Sequence, residues 1–152
     1  MKERRSILFV CTGNICRSPT AEGVLKRLAS EASLDLRVAS AGTHDYHAGE
    51  APDERAQHHA GRRGYDLSAQ RARKVKKSDF REFDLILAMD RGHLDILRRM
   101  CPVEHRGKLR LLLPGRDLPD PYYGGPEGFE QVLDLVEDAC RVLLEEIRSL
   151  TS

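Results

Sequence analysis

Short apolar runs alternate with longer amphipathic stretches along this chain, and the two periods set its elements. Ile7-Leu8-Phe9-Val10 is a continuous apolar run, the mark of a strand buried on both faces. Beyond a glycine-containing loop, Ala21, Val24, Leu25, Leu28, Ala29 and Ala32 recur at i, i+3, i+4, i+7, i+8 and i+11, which predicts a helix with one face on a sheet. Ser18 stands as its N-cap and Pro19 as its first helical residue. Leu36-Arg37-Val38-Ala39 reads as a weaker strand, Ser40 to Ala51 as a polar loop, and Pro52 to Arg63 as a helix that Gly64 ends. Leu85 to Met89 predicts an interior strand, Arg91 to Met100 a helix and Leu109 to Leu113 a fourth strand. The last helix begins at Pro126 or Glu127, since Phe129, Val132, Leu133, Val136, Cys140, Leu143 and Ile147 share one face. The β-α-β-α-β-α-β-α order predicts an α/β fold: a three-layer, four-stranded parallel sheet with helices on both faces, right-handed crossovers and a ligand site at the carboxyl ends of the strands. With no repeat, linker or composition break, residues 1–152 read as a single domain.

Composition narrows the function classes. The 152 residues carry a formal charge of +1, so no global basic field points to nucleic acid or an anionic membrane, and any attraction for an anion has to be local. The apolar run after MKERRS is too short for a signal-peptide core or a membrane span, and the expected location is cytoplasmic. Cys11, Cys16, Cys101 and Cys140 form neither a disulfide framework nor paired zinc knuckles, and are expected as free thiols. The six histidines lack metal-ligand spacing. His58 and His59 are adjacent on a helix, point to different faces and read as solvated.

One segment carries chemistry. Cys11-Thr12-Gly13-Asn14-Ile15-Cys16-Arg17-Ser18 sets a cysteine and an arginine, with five residues between them, between a strand and a helix start. The backbone N–H groups of a tight loop, joined to those of the first helical turn and backed by the helix dipole, form a cradle for a tetrahedral dianion. Gly13 supplies backbone freedom, and Arg17 offers planar, paired donors to two phosphoryl oxygens. A cysteine at a strand end is most often an inert small hydrophobe. Near helix N-termini and cations, however, a thiol pKa of about 8.5 falls to roughly 3.5–7.5, so this setting favours the thiolate of Cys11, with Ser18 donating its hydroxyl to the sulfur. Attack on phosphorus in line would give a phosphocysteine, with the loop donors and Arg17 stabilising the equatorial oxygens.

FVCTGNICRSPTAE resembles the signature of low-molecular-weight protein tyrosine phosphatases, and Asp120-Pro121-Tyr122-Tyr123-Gly124 resembles their general-acid loop. Ser40-Ala41-Gly42-Thr43 and Met89-Asp90 also fall where that family has such segments, so the likeness spans nearly the whole chain. It implies that Asp120 protonates the leaving phenolate and then activates water. It also implies that Thr12, Gly13, Asn14, Ile15, Cys16 and Ser18 surround the phosphate, and that Asn14, Ser18 and Ser40 support the loop. Tyr46, Tyr122 and Tyr123 would line the entrance, although ordinary packing explains exposed tyrosines as well. A reversible disulfide between Cys11 and Cys16 is a further implication, with Cys101 and Cys140 structural. Where many members have a histidine supporting the loop, this chain has Gln70, which can hydrogen-bond but not titrate. The implied partners are a tyrosine-phosphorylated protein and inorganic phosphate, the latter as product and weak inhibitor. The mechanism calls for no metal or other cofactor.

Rival readings use the same loop. An arginine phosphatase typically has threonine where Ile15 stands and lacks the Tyr122-Tyr123 pair. A thiol-dependent arsenate reductase needs relay cysteines that Cys101 and Cys140 do not resemble. A non-catalytic phosphate-binding or redox-sensing module requires neither Cys11 nor Asp120.

Overall fold

A computed structural model of the protein describes residues 5–122 and 124–151. Four strands, β1 (Arg5–Cys11), β2 (Leu36–Gly42), β3 (Leu85–Ala88) and β4 (Leu109–Leu111), form one parallel sheet in the order β2-β1-β3-β4. Five α-helices connect and cover them: α1 (Arg17–Glu31), α2 (Glu54–Arg62), α3 (Lys77–Glu82), α4 (Arg91–Met100) and α5 (Pro126–Thr151), with a 3₁₀ segment at Val103–Lys108. The expected three-layer α/β fold is present.

The uninterrupted apolar run of β1 feeds two cores. Because strand side chains alternate, Ile7, Phe9 and Cys11 enter the core shared with α1, α2 and α5. Leu8 and Val10 enter the opposite core, with Phe80 of α3 and Leu94 and Leu97 of α4. The stripe read along α5 is buried as expected from Phe129 to Ile147.

Two local readings change, and one helix is added. β2 runs on to Gly42, so Ser40 belongs to the strand and the polar loop starts at Thr43. α3 has only six residues, too few for a 3.6-residue period to show in sequence. Ser18 is not an N-cap: Cys16 takes that position without a side-chain capping bond, and Ser18 lies inside the helix, its hydroxyl engaged in the site described below. The capping expected of a short polar residue is found at α2, where Asp53 accepts from the amides of Arg55 at 2.8 Å and Ala56 at 3.3 Å.

α1 presses closely on the segment after α2. A Cβ added at Gly23 would lie 2.3 Å from Leu67 Cδ2, and Leu67 is itself fully buried. Helix propensity alone would make Gly23→Ala stabilising by about 1 kcal/mol. Overpacking wins, because Leu67 has nowhere to retreat. The variant is expected to be less stable by roughly 1–3 kcal/mol, read as a lower urea midpoint at unchanged slope.

Candidate active site

The strand order sets the site's position. The chain leaves β1 toward β2 on one side and returns to β3 on the other, so the connections diverge between the carboxyl ends of β1 and β3, where open parallel sheets form a crevice. Cys11 is the last residue of β1, residues 12–16 loop across the crevice, and Arg17 opens α1. Among the described residues, no backbone N–H of Thr12, Gly13, Asn14, Ile15 or Cys16 donates to a protein acceptor. Five donors at a helix start thus stay available to an anion.

The turn that keeps them free is made by Asn14, not by Gly13. Asn14 has φ 60°, the left-handed region that asparagine tolerates better than most residues. Its buried side chain is fully engaged: Nδ2 donates to Ser18 Oγ and Ser40 Oγ, both at 2.9 Å, and Oδ1 accepts from the Arg73 amide at 3.0 Å. Ser40 in turn donates to Glu22 Oε1 at 2.6 Å. Ser18 Oγ lies 2.9 Å from Cys11 Sγ, so one hydroxyl links the loop support to the sulfur. Gly13 does not take a positive φ, and a Cβ there would come 2.9 Å from Cδ2 of the partly exposed His47 ring, which would have to shift. Gly42 is constrained by backbone, with Thr12 O 2.6 Å from a Cβ at that position.

Arg17 is buried and held from two sides. Its Nη1 donates to Asp90 Oδ2 at 3.0 Å and to the Leu118 carbonyl at 2.8 Å, while Nη2 is 3.6 Å from Asp120 Oδ2. Asp90 also caps α4, accepting from the His93 amide at 2.9 Å. The Leu118 amide donates to Met89 O at 2.8 Å, so the loop bearing Asp120 is tied to β3 and to the guanidinium together. Asp120 Oδ1 accepts from the Tyr122 amide at 3.0 Å. Arg55, paired with Asp53, lies over the rings of Tyr122 and Phe129 at 5.4 and 4.9 Å and ties the far end of this loop to α2.

Cys11, Thr12, Gly13, Ile15, Cys16, Arg17, Tyr46, His47, Asp120 and Tyr122 line one cavity of about 290 Å³. Tyr46 is largely exposed and stacks on His44, their centroids 4.9 Å apart. Tyr123, the other expected entrance residue, lies outside the described residues. Asn14, Ser18 and Ser40 are joined by hydrogen bonds behind the loop, and Asn14 and Ser18, also expected around the phosphate, do not line the cavity.

Gln70 does not join that network. Its Nε2 donates to Pro19 O at 3.0 Å and its buried Oε1 has no partner among the described residues, while the Arg73 amide and Glu22 hold Asn14 and Ser40 instead. His59 is not solvated: it is buried, stacked on Phe129 at 5.5 Å and bonded to Glu130 through Nδ1. All four cysteines are free. Burial, reinforced by Asp53 and Cys11, pushes the Cys16 thiol far up, and burial raises Cys101 and takes Cys140 to about 12, so these three stay protonated at neutral pH. Cys101 and Cys140 do not line the cavity.

Asp90 and His93 were absent from the expected site residues. The available signal was the position of Asp90, directly after an apolar strand at the sheet's ligand-binding end. His93 had none, because its role depends on the approach of α4 to the loop. The His93 ring is buried, with Nε2 2.7 Å from Thr12 Oγ1. Its Nδ1 is 3.1 Å from Asp90 Oδ1 but too poorly aligned for a hydrogen bond. Burial pushes His93 down to about 4; Asp90 opposes that shift and Arg17 adds to it.

The fold and the site together define a class: an α/β protein whose first crossover carries a loop of unpaired amides, with a cysteine, an arginine and an aspartate lining the same cavity. The family profile described as low molecular weight phosphotyrosine protein phosphatase matches residues 6–151. A low molecular weight protein-tyrosine-phosphatase of Streptomyces coelicolor is 44% identical, covering 93% of each chain. The protein tyrosine phosphatase of Entamoeba histolytica superposes with a TM-score of 0.92 at 38% identity, covering 97% of this chain and 99% of that one. Vibrio vulnificus Wzb, solved in complex with benzylphosphonate, superposes with a TM-score of 0.86 at 33% identity, covering 95% and 99%. The chain belongs to the low molecular weight phosphotyrosine protein phosphatase family.

The lowered His93 pKa has a testable sign. The unfolded chain binds a proton near pH 6.5 and the folded chain only near 4, so stability that is full above 6.5 is lost as the pH falls through that window. The loss is at most about 3 kcal/mol. His93→Asn removes the titration, and urea unfolding at pH 7 and pH 4.5 should show a smaller drop for the variant than for the parent. Equal drops would contradict the assignment.

Proposed function

We propose that this protein hydrolyses phosphotyrosine in proteins, and small aryl phosphates, through a phosphocysteine formed on Cys11. The observation that carries the proposal is that Cys11, Arg17 and Asp120 line one cavity whose loop amides have no protein acceptor among the described residues.

The phosphoryl group sits in the loop, its equatorial oxygens bonded by the amides of residues 12–16 and by the guanidinium of Arg17, which Asp90 and the Leu118 carbonyl hold in plane. Cys11 sulfur attacks phosphorus as the bond to the tyrosine oxygen breaks, and Asp120 gives that oxygen its proton. Asp120, now a carboxylate, takes a proton from water, whose oxygen attacks the phosphocysteine. Inorganic phosphate leaves, the Cys11 sulfur serving as leaving group with the Ser18 hydroxyl 2.9 Å away to donate to it. The same cradle makes phosphate a weak competitive inhibitor. Tyr46 and Tyr122 give the substrate ring its walls, and the depth of Cys11 favours the longer reach of phosphotyrosine over phosphoserine. Benzylphosphonate in the Wzb complex supports this reading, being an aromatic ring joined to a phosphate-like head.

Cys16 lines the same cavity as Cys11, which supports a reversible protective disulfide between them. An arsenate-reductase relay gains no support, because Cys101 and Cys140 are buried elsewhere. The protein acts as one domain without a metal, and no helix among the described residues is long and apolar enough to cross a membrane, which is compatible with a cytoplasmic setting.

Cys11→Ser should reduce aryl phosphate hydrolysis to background. Asp120→Asn should lower kcat by about 10²–10⁴ for phosphotyrosine and by less for p-nitrophenyl phosphate, whose leaving oxygen needs a proton less. Full activity in Cys11→Ser, or equal losses on the two substrates in Asp120→Asn, would overturn the assigned roles.

A further inference from the structure

Arg71-Ala72-Arg73-Lys74-Val75-Lys76-Lys77 places five cations in seven residues of a chain whose overall charge is only +1. One of the five is neutralised: Arg73 grips the buried carboxylate of Asp79 with two bonds, at 2.9 and 3.1 Å. Arg71, Lys74, Lys76 and Lys77 are exposed, and among the described residues none of them forms an ion pair with an acidic side chain. Arg71 instead donates to the carbonyls of Ser68 and Gln70.

The segment is fixed to the mouth of the active site. Lys74 pairs in parallel with Gly42, with Gly42 N donating to Arg73 O and Val75 N to Gly42 O, both at 2.8 Å. Val75 is buried in the core against α3 and α4, so in this extended stretch Lys74 and Lys76 flank it on the outer side. Ahead of them, Gly49 N donates to Ala72 O and Ala72 N to Glu50 O, joining the strip to the loop whose Tyr46 and His47 line the cavity. The Arg73 amide is the donor that Asn14 accepts inside the phosphate loop. Of the neighbouring acids, Glu50 faces His47 Nδ1 at 3.3 Å, Asp79 is spent on Arg73, and Asp45 is exposed on the rim.

We propose that Arg71, Lys74, Lys76 and Lys77 form a docking strip for acidic residues that flank the phosphotyrosine of a substrate. This deepens the phosphatase reading and rests on it. Lysine ammonium groups on flexible stems act as hydrated point charges, which suits a run of aspartate and glutamate without fixed geometry. Their backbone attachment to Gly42 and to the loop bearing Tyr46 and His47 sets them beside the cavity, within the reach of residues flanking a bound phosphotyrosine. The same attachment favours a peptide over an anionic membrane surface.

The test uses two phosphotyrosine peptides that differ only in flanking Asp and Glu against Asn and Gln, with p-nitrophenyl phosphate as a substrate that reaches the cavity alone. For Lys74→Glu/Lys76→Glu/Lys77→Glu, kcat/KM on the acidic peptide should fall about tenfold at low salt, mainly through KM, and the deficit should shrink as salt rises. The neutral peptide and p-nitrophenyl phosphate should stay within about twofold, and Lys→Gln at the same three positions should give an intermediate loss. Equal effects on both peptides, or none on the acidic one, would overturn the docking strip. So would lysine-dependent sedimentation with phosphatidylserine vesicles alongside unchanged peptide rates. If the unsubstituted protein failed to hydrolyse p-nitrophenyl phosphate, the phosphatase reading would fall, and this inference with it.

Discussion

The site depends on one left-handed residue whose side chain is tied on three sides. Asn14 turns the chain at φ 60°, and its amide binds Ser18, Ser40 and Arg73, so the turn is fixed by partners on α1, on β2 and on the strip beyond Gly42. A backbone left to itself would satisfy its amides locally, and a loop collapsed in that way could not receive an anion. Here the polar side chains carry the hydrogen bonding that keeps the loop open, and the amides of residues 12–16 remain available. The arrangement is buried, which makes each of those side-chain bonds costly to lose.

A second constraint joins the two ends of the reaction. Arg17 comes from the first crossover, Asp90 from the end of β3 and Leu118 from the segment leading to Asp120, and all three meet at one guanidinium. Moving the Asp120 loop therefore disturbs the guanidinium, so Cys11, Arg17 and Asp120 keep a common register. This convergence follows from strand order, since only the divergence of the β1 and β3 connections leaves a crevice into which both loops turn.

Much of this was legible in sequence, for identifiable reasons. The run from Ile7 to Val10 and the stripe along α5 announce themselves because burial on two faces or one imposes a period, and the Cys11–Arg17 loop is contiguous. Asn14 and Ser40 followed from the family likeness. What could not be read depends on contacts between segments distant in sequence. His93 meets Thr12 across 81 positions, and Arg73 reaches Asn14 across 59. Gln70 was weighed as a substitute for a network histidine, yet the network is completed by a backbone amide, a donor that carries no signature of side-chain type. Gly13 and Gly42 were readable as glycines, but whether each serves φ or space depended on which atoms lie beside it, His47 for one and the Thr12 carbonyl for the other.

If the open loop delivers a phosphoryl group to one sulfur, that sulfur must carry it during turnover. Rapid mixing with a good aryl phosphate, acid quench within a single turnover and peptide mass spectrometry examine it directly. A transient phosphoryl adduct is expected on Cys11, accumulating further when Asp120 is replaced by asparagine because hydrolysis of the intermediate slows. Steady turnover of the substrate with no adduct on Cys11, or with the adduct on another residue, would contradict it.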